Sequence, residues 1–187
     1  MESYLKEKIH FIIGCIKMIS DIKQLIKQGY ISRDDYVKNL SQKYLDKAKN
    51  NLITMRILSE LNTKKTRKLL KIPSDYDSNE WVVIAGYYAM YASALALLAK
   101  IGYKSKNHTA TLLVLEEYFV RKRLLDEKDL LLIKHAHFQK EEIEKLSEAR
   151  HKREIAQYSV TKQTTKEIAE TIKEEAYNFV NKVDLII

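Results

Sequence analysis

Trp81 to Ala99 reads WVVIAGYYAMYASALALLA, nineteen consecutive residues without a charge. A helix that is apolar on every side has two homes, the middle of a bundle or a membrane. Tyr87, Tyr88, Tyr91, Ser93 and the many alanines, in a chain that is otherwise highly charged, favour the bundle. Gly86, Ala89, Ala92, Ala94, Ala96 and Ala99 leave grooves into which larger side chains of neighbouring helices can lock. This stretch is therefore expected to be the hub of the fold. Asp77 or Ser78 can cap its start, with Glu80 three residues after Asp77 as in a capping box, and Lys100 followed by Gly102 marks its end.

The chain around the hub is helical by the same logic. Four glycines and one proline in 187 residues leave few of the punctuators that strands and tight turns need. A helix from about Glu2 to Gln28 carries Leu5, Ile9, Ile12, Ile16, Ile19 and Ile22 on a broad apolar face and stops at Gly29; that face suits either packing on the bundle or a dimer contact. Ser32 with Asp35 signals a second helix, to about Leu61, with Val37, Leu40, Tyr44, Ala48, Leu52 and Met55 inside. NTKKTRKLLK, Asn62 to Lys71, is a basic connection that can track phosphates, followed by a loop from Pro73 to Asn79. Ser105 is placed to cap a helix over Asn107 to Lys122, which ends in the basic triplet Arg121, Lys122 and Arg123. Asp126 opens a shorter helix toward His137. Thr164 with Glu167 opens the last, where Ile168, Ile172, Ala176, Phe179, Val180 and Val183 form one apolar stripe.

Several kinds of chemistry are absent from the pattern. The single cysteine, Cys15, excludes an internal disulfide or a cysteine metal cluster and makes a reducing cytoplasm the default. The apolar run at the N-terminus is interrupted by His10 and Lys17 and does not resemble a signal peptide. No glycine-rich phosphate loop is present, and His135 and His137, two residues apart on a helix, cannot clasp one metal. No cofactor or metal is expected. A net charge of +8 and a pI near 9.3 suit a polyanionic partner or a lysine-rich soluble surface.

Phe138 to Val160, FQKEEIEKLSEARHKREIAQYSV, has a distinctive face. At 100° per residue Ile143 and Leu146 align with Arg150, Arg153 and Gln157, so an apolar face turns cationic over its last turns. Such a stripe needs an anion, a partner carboxylate or water.

The hub and its following turn, YYAMYASALALLAKIGYKSKNH from Tyr87 to His108, resemble the central helix and turn of HEPN domains, small all-helical modules of prokaryotic nucleic-acid biology. The resemblance extends in helix order over residues 41–184. It implies an all-α, up-and-down antiparallel bundle over residues 41–187, with residues 1–40 as an added N-terminal extension. HEPN proteins carry an arginine, four to six residues, then a histidine often followed by tyrosine. Aligning Gln157 and Tyr158 with that ending places Lys152 at the four-residue spacing and Arg150 at the six-residue spacing, with Arg153 one short. Family members with the intact motif resemble metal-independent ribonucleases. Glutamine has no accessible pKa and cannot move a proton, and His151 points about 120° away from Gln157.

The resemblance therefore implies a cytoplasmic RNA- or nucleotide-binding accessory protein with phosphate contacts from Arg150, Lys152, Arg153, Gln157 and Tyr158. It also implies a homodimer and a partnership with a small nucleotidyltransferase. A ribonuclease toxin with a variant motif, with Arg150, His151 and Gln157 as weak catalytic candidates, and a purely structural interaction module are the alternatives.

Overall fold

The computed structural model describes residues 22–152 and 160–187, with the side chains of Glu142 and of residues 145–165 outside that description. The hub is helix α3, Asn79–Lys100, and four long helices define the architecture. They are α1 (Ser41–Glu60), α3, α5 (Glu127–Lys152) and α6 (Val160–Asp184); the short helices α2 (Lys64–Leu70) and α4 (His108–Leu115) lie in the connections.

Cross-helix contacts fix the directions. Ser41 Oγ donates to Ala96 O at the start of α1, and Ser78 Oγ donates to Leu58 O near its end, so α1 and α3 are antiparallel. The same holds for α5 and α6, where Lys182 meets Asp126 and Asp129 at one end and His135 meets Glu175 further along. Lys100 Nζ donates to Ile187 O, which places the ends of α3 and α6 together. The result is an all-α, up-and-down bundle.

As its composition requires, α3 is the core helix. It packs most extensively on α1, then α6, then α5, and 78% of its most apolar 18-residue window is buried within the protein. That burial makes it a core helix and not a membrane span. Gly86 shows how closely the helices approach: a Cβ there would lie 2.6 Å from Ile172 Cγ2 and 3.1 Å from Met55 Sδ. The expected core faces of α1 and α6 are also in place, with Ala48, Leu52, Met55, Ile172, Ala176, Phe179, Val180 and Val183 buried.

The boundaries differ from the expected ones in instructive ways. Residues 22–27 are helical and end at Gly29, which has a φ of 75°. Ser32 is not a helix cap, because Ile31–Arg33 is a strand, β1, paired antiparallel with β2, Tyr103–Ser105. Asp34 is the cap, its side chain accepting from Tyr36 N, and a 3-10 turn over Asp35–Leu40 precedes α1. Asn107, not Ser105, caps α4 by accepting from Ala110 N at 2.7 Å. Ser105 instead donates to Asn107 O, an alternative that short polar side chains near helix starts readily take. Beyond Leu115 the chain widens into a π-turn, Glu116–Val120. The helix expected to stop near His137 runs unbroken to Lys152.

The basic connection also has structure. Thr63 caps α2, and Arg67 donates to Asn62 Oδ1, Pro73 O, Ser74 O and Tyr76 O at 3.3, 3.3, 3.1 and 2.6 Å. Arg67 thus fastens the Pro73–Asn79 loop onto the end of α1. Hydrogen bonds from a charged donor are stronger than neutral ones, but this site is half open to solvent. Arg67→Ala is expected to destabilise the protein by about 1–2 kcal/mol and to expose the loop to limited proteolysis first at residues 73–77. Unchanged cleavage rates there would contradict the clamp.

Candidate nucleic-acid interface

Where α4 gives way to the π-turn, the small β-ribbon docks against it through a pair of tyrosines. The hydroxyls of Tyr103, on β2, and Tyr118, on the turn, share a 2.8 Å hydrogen bond, and their ring centroids lie 5.3 Å apart. Burial first, then the bond to Tyr103, pushes the Tyr118 hydroxyl up to about 12, so Tyr118 is protonated at neutral pH. Each ring carries a cation. The Arg33 guanidinium lies 5.9 Å from the Tyr103 centroid, and Lys122 Nζ lies 5.8 Å from that of Tyr118.

The local backbone explains why these groups meet. Arg33 stands opposite Tyr103 in the ribbon register, and cross-strand neighbours share a face. The π-turn adds a residue to its turn, a device frequent at functional sites, and carries Tyr118 toward the ribbon. The chain then reverses through Arg123, whose φ of 59° is left-handed and whose N–H donates to Val120 O at 2.8 Å. A side chain in that conformation costs roughly 1–2 kcal/mol, so the reversal is held by its surroundings.

Charge is concentrated here. Arg33, Lys122 and Arg123 are exposed. Lys104 is exposed on the other face of the ribbon, because successive strand residues alternate. Of the neighbouring carboxylates, Asp35 is held by Lys38 at 2.8 Å, and Glu117 lies 3.1 Å from Arg121 Nε, near enough for an ion pair though without hydrogen-bond alignment. Asp34 is occupied as the cap, and Glu116 is half-buried on the turn. The arrangement can hold phosphates through its exposed cations.

A second cluster lies at the other end of α4. Tyr87 and Tyr91 of α3, His108 of α4 and His137 of α5 bring four rings together, with the two imidazoles stacked at 4.0 Å and 14°. Lys140 lies 5.6 Å from the Tyr87 centroid and is paired with Glu144 at 2.8 Å. His135, as the helical period requires, points elsewhere, to Glu175 at 3.2 Å. Both histidines of α5 are boundary residues, and no metal-ligand group occurs among the described residues.

The residues singled out on the motif fall differently. Arg150, His151 and Lys152 belong to the last turn of α5, and their side chains lie outside the described residues. Arg153, Gln157 and Tyr158 lie outside them altogether. The structure brings together Arg33, Tyr103, Tyr118 and Lys122, of which the sequence marked Lys122, in the basic triplet, and Tyr103, only as part of the Tyr87 to His108 stretch. Arg33 and Tyr103 are 70 residues apart, so no local spacing could join them. The structure defines an all-α, up-and-down bundle with a cationic tyrosine corner. No protein-family model, curated protein or solved structure matches the chain.

Proposed function

We propose that this is a nucleic-acid- or nucleotide-binding accessory protein of the HEPN type, homodimeric and partnered with a small nucleotidyltransferase. The observation that carries the binding reading is the cationic corner, where Arg33 and Lys122 cover a hydrogen-bonded tyrosine pair and the adjacent Arg123 is exposed. Exposed cations on a fixed scaffold neutralise phosphates, and the chain's net charge of +8 draws a polyanion toward them. The dimer and the partner rest on the resemblance of Tyr87 to His108 to HEPN domains, and the second set of phosphate contacts, from Arg150, Lys152 and Arg153, rests on the alignment of Gln157 and Tyr158 with that family's motif. With Gln157 at the histidine position the protein binds RNA without cleaving it.

The test is fluorescence anisotropy with a labelled single-stranded oligouridylate at 50 mM salt. Wild type is expected to bind, and Arg33→Ala with Lys122→Ala is expected to weaken binding by at least tenfold. Equal binding by the double variant would transfer the interface to Arg150 and Arg153. Absence of binding by wild type would favour the purely structural module.

A further inference from the structure

The four-ring cluster is unusual in what its imidazoles lack. Both ring nitrogens of His108 and Nδ1 of His137 are buried, and none has a hydrogen-bond partner among the described residues. The remaining nitrogen, His137 Nε2, lies 3.3 Å from Glu141 Oε1. Around the pair stand Tyr87, Tyr88 and Tyr91 from α3 and Lys134, Lys140, Glu141 and Glu144 from α5. Tyr91 adds a 3.4 Å contact from its hydroxyl to Thr111 Oγ1, so the cluster joins three helices.

A neutral His108 suits this setting and a charged one does not. A protonated His108 would bury two N–H donors without acceptors and would face Lys134 on one side. A second charge on His137, 4.0 Å away, would repel it directly. We propose that this four-ring cluster is an acid-released latch, which clamps α4 and α5 onto the hub helix while the His108 imidazole is neutral and opens when it takes up a proton. Because α4 continues into the π-turn, the released segment is the one that carries Tyr118. The latch stands independently of the function proposed above.

The direction of the effect follows from linkage. Burial, then the neighbouring His137 and Lys134, lowers His108 from 6.5 to about 4. The opened form therefore binds more protons than the closed form between those values. The clamp is fully effective above pH 6.5 and is lost as pH falls toward 4. Between pH 7 and pH 5 the opened population should rise about tenfold to twentyfold.

Hydrogen exchange on the full chain tests this, with protection factors corrected for the intrinsic pH dependence of exchange. The amides of Thr111 to Leu115 should lose about tenfold to twentyfold protection between pH 7 and pH 5, those of Leu52 to Met55 in α1 should not, and His108→Phe should remove the difference. Equal losses in both helices would mean global unfolding and overturn a local latch, as would unchanged protection in α4. Should the phenylalanine variant fail to fold, NMR titration of the wild-type histidine rings decides. A His108 ring that titrates near 6.5 would overturn the proposal.

Discussion

Phe179→Ala is expected to lower the stability of the bundle by about 3–5 kcal/mol, the range for removing a fully buried phenylalanine. Phe179 is among the largest side chains with no solvent exposure, and it lies on the stripe by which α6 packs on the hub. For a chain of this size the loss should appear as a fall in thermal midpoint of about 10 °C. Gly86→Ala makes the complementary test, because it adds volume where Phe179→Ala removes it. Alanine improves helix propensity by about 1 kcal/mol, yet the new Cβ would lie 2.6 Å from Ile172 Cγ2. Overpacking of a tight core typically costs about 1–3 kcal/mol, so the net effect should be destabilising. Urea midpoints that left Phe179→Ala within about 1 kcal/mol of wild type, or showed Gly86→Ala to be more stable, would refute the close packing of α1, α3 and α6.

The packing was legible in the chain because it is periodic. A stripe such as Ile172, Ala176, Phe179, Val183 repeats at helical spacing and can be read without knowing its neighbour. An uncharged run such as Trp81 to Ala99 can be buried only by surrounding it. Helix starts were less legible, since Ser32, Asp34, Ser105 and Asn107 are all competent caps and the winner is set by tertiary contacts. Pairing of Ile31–Arg33 with Tyr103–Ser105 turned the Ser32 position into strand, leaving Asp34 as the first residue able to cap. The π-turn had no sequence signal beyond an unremarkable EEYFV. The candidate interface was mostly illegible for the same reason. Arg33 and Tyr103 meet only through the ribbon, and Tyr103 and Tyr118 meet only because the turn bulges. A different limit applies to His108 and His137. Each was visible, but their stacking depends on the crossing of α4 and α5, which no spacing within either helix encodes.

If the cationic corner binds nucleic acid through phosphates, its affinity should fall by about twentyfold when salt is raised from 50 to 200 mM. The figure follows from counterion release. Each neutralised phosphate on a single strand contributes about 0.7 to the slope of log affinity against log salt, and three cations give a slope near −2. Arg33, Lys122 and Arg123 are the three that are exposed on or beside the tyrosine pair. Lys104 is left out because it occupies the opposite face of the ribbon. The tyrosines are not expected to stack on bases, since Tyr103 is buried and each ring is faced by its cation. The interaction should therefore depend little on base sequence. Removing Arg33 and Lys122 together should reduce the slope to near −0.7, leaving only about a threefold loss over the same salt range. Tyr118→Phe is a finer probe. It deletes the hydroxyl that holds the turn to the ribbon without altering charge, so affinity should drop while the slope stays near −2. A wild-type slope near zero would show that the corner does not neutralise phosphates. A steep slope that survives loss of Arg33, Lys122 and Arg123 would place the phosphate contacts on another surface.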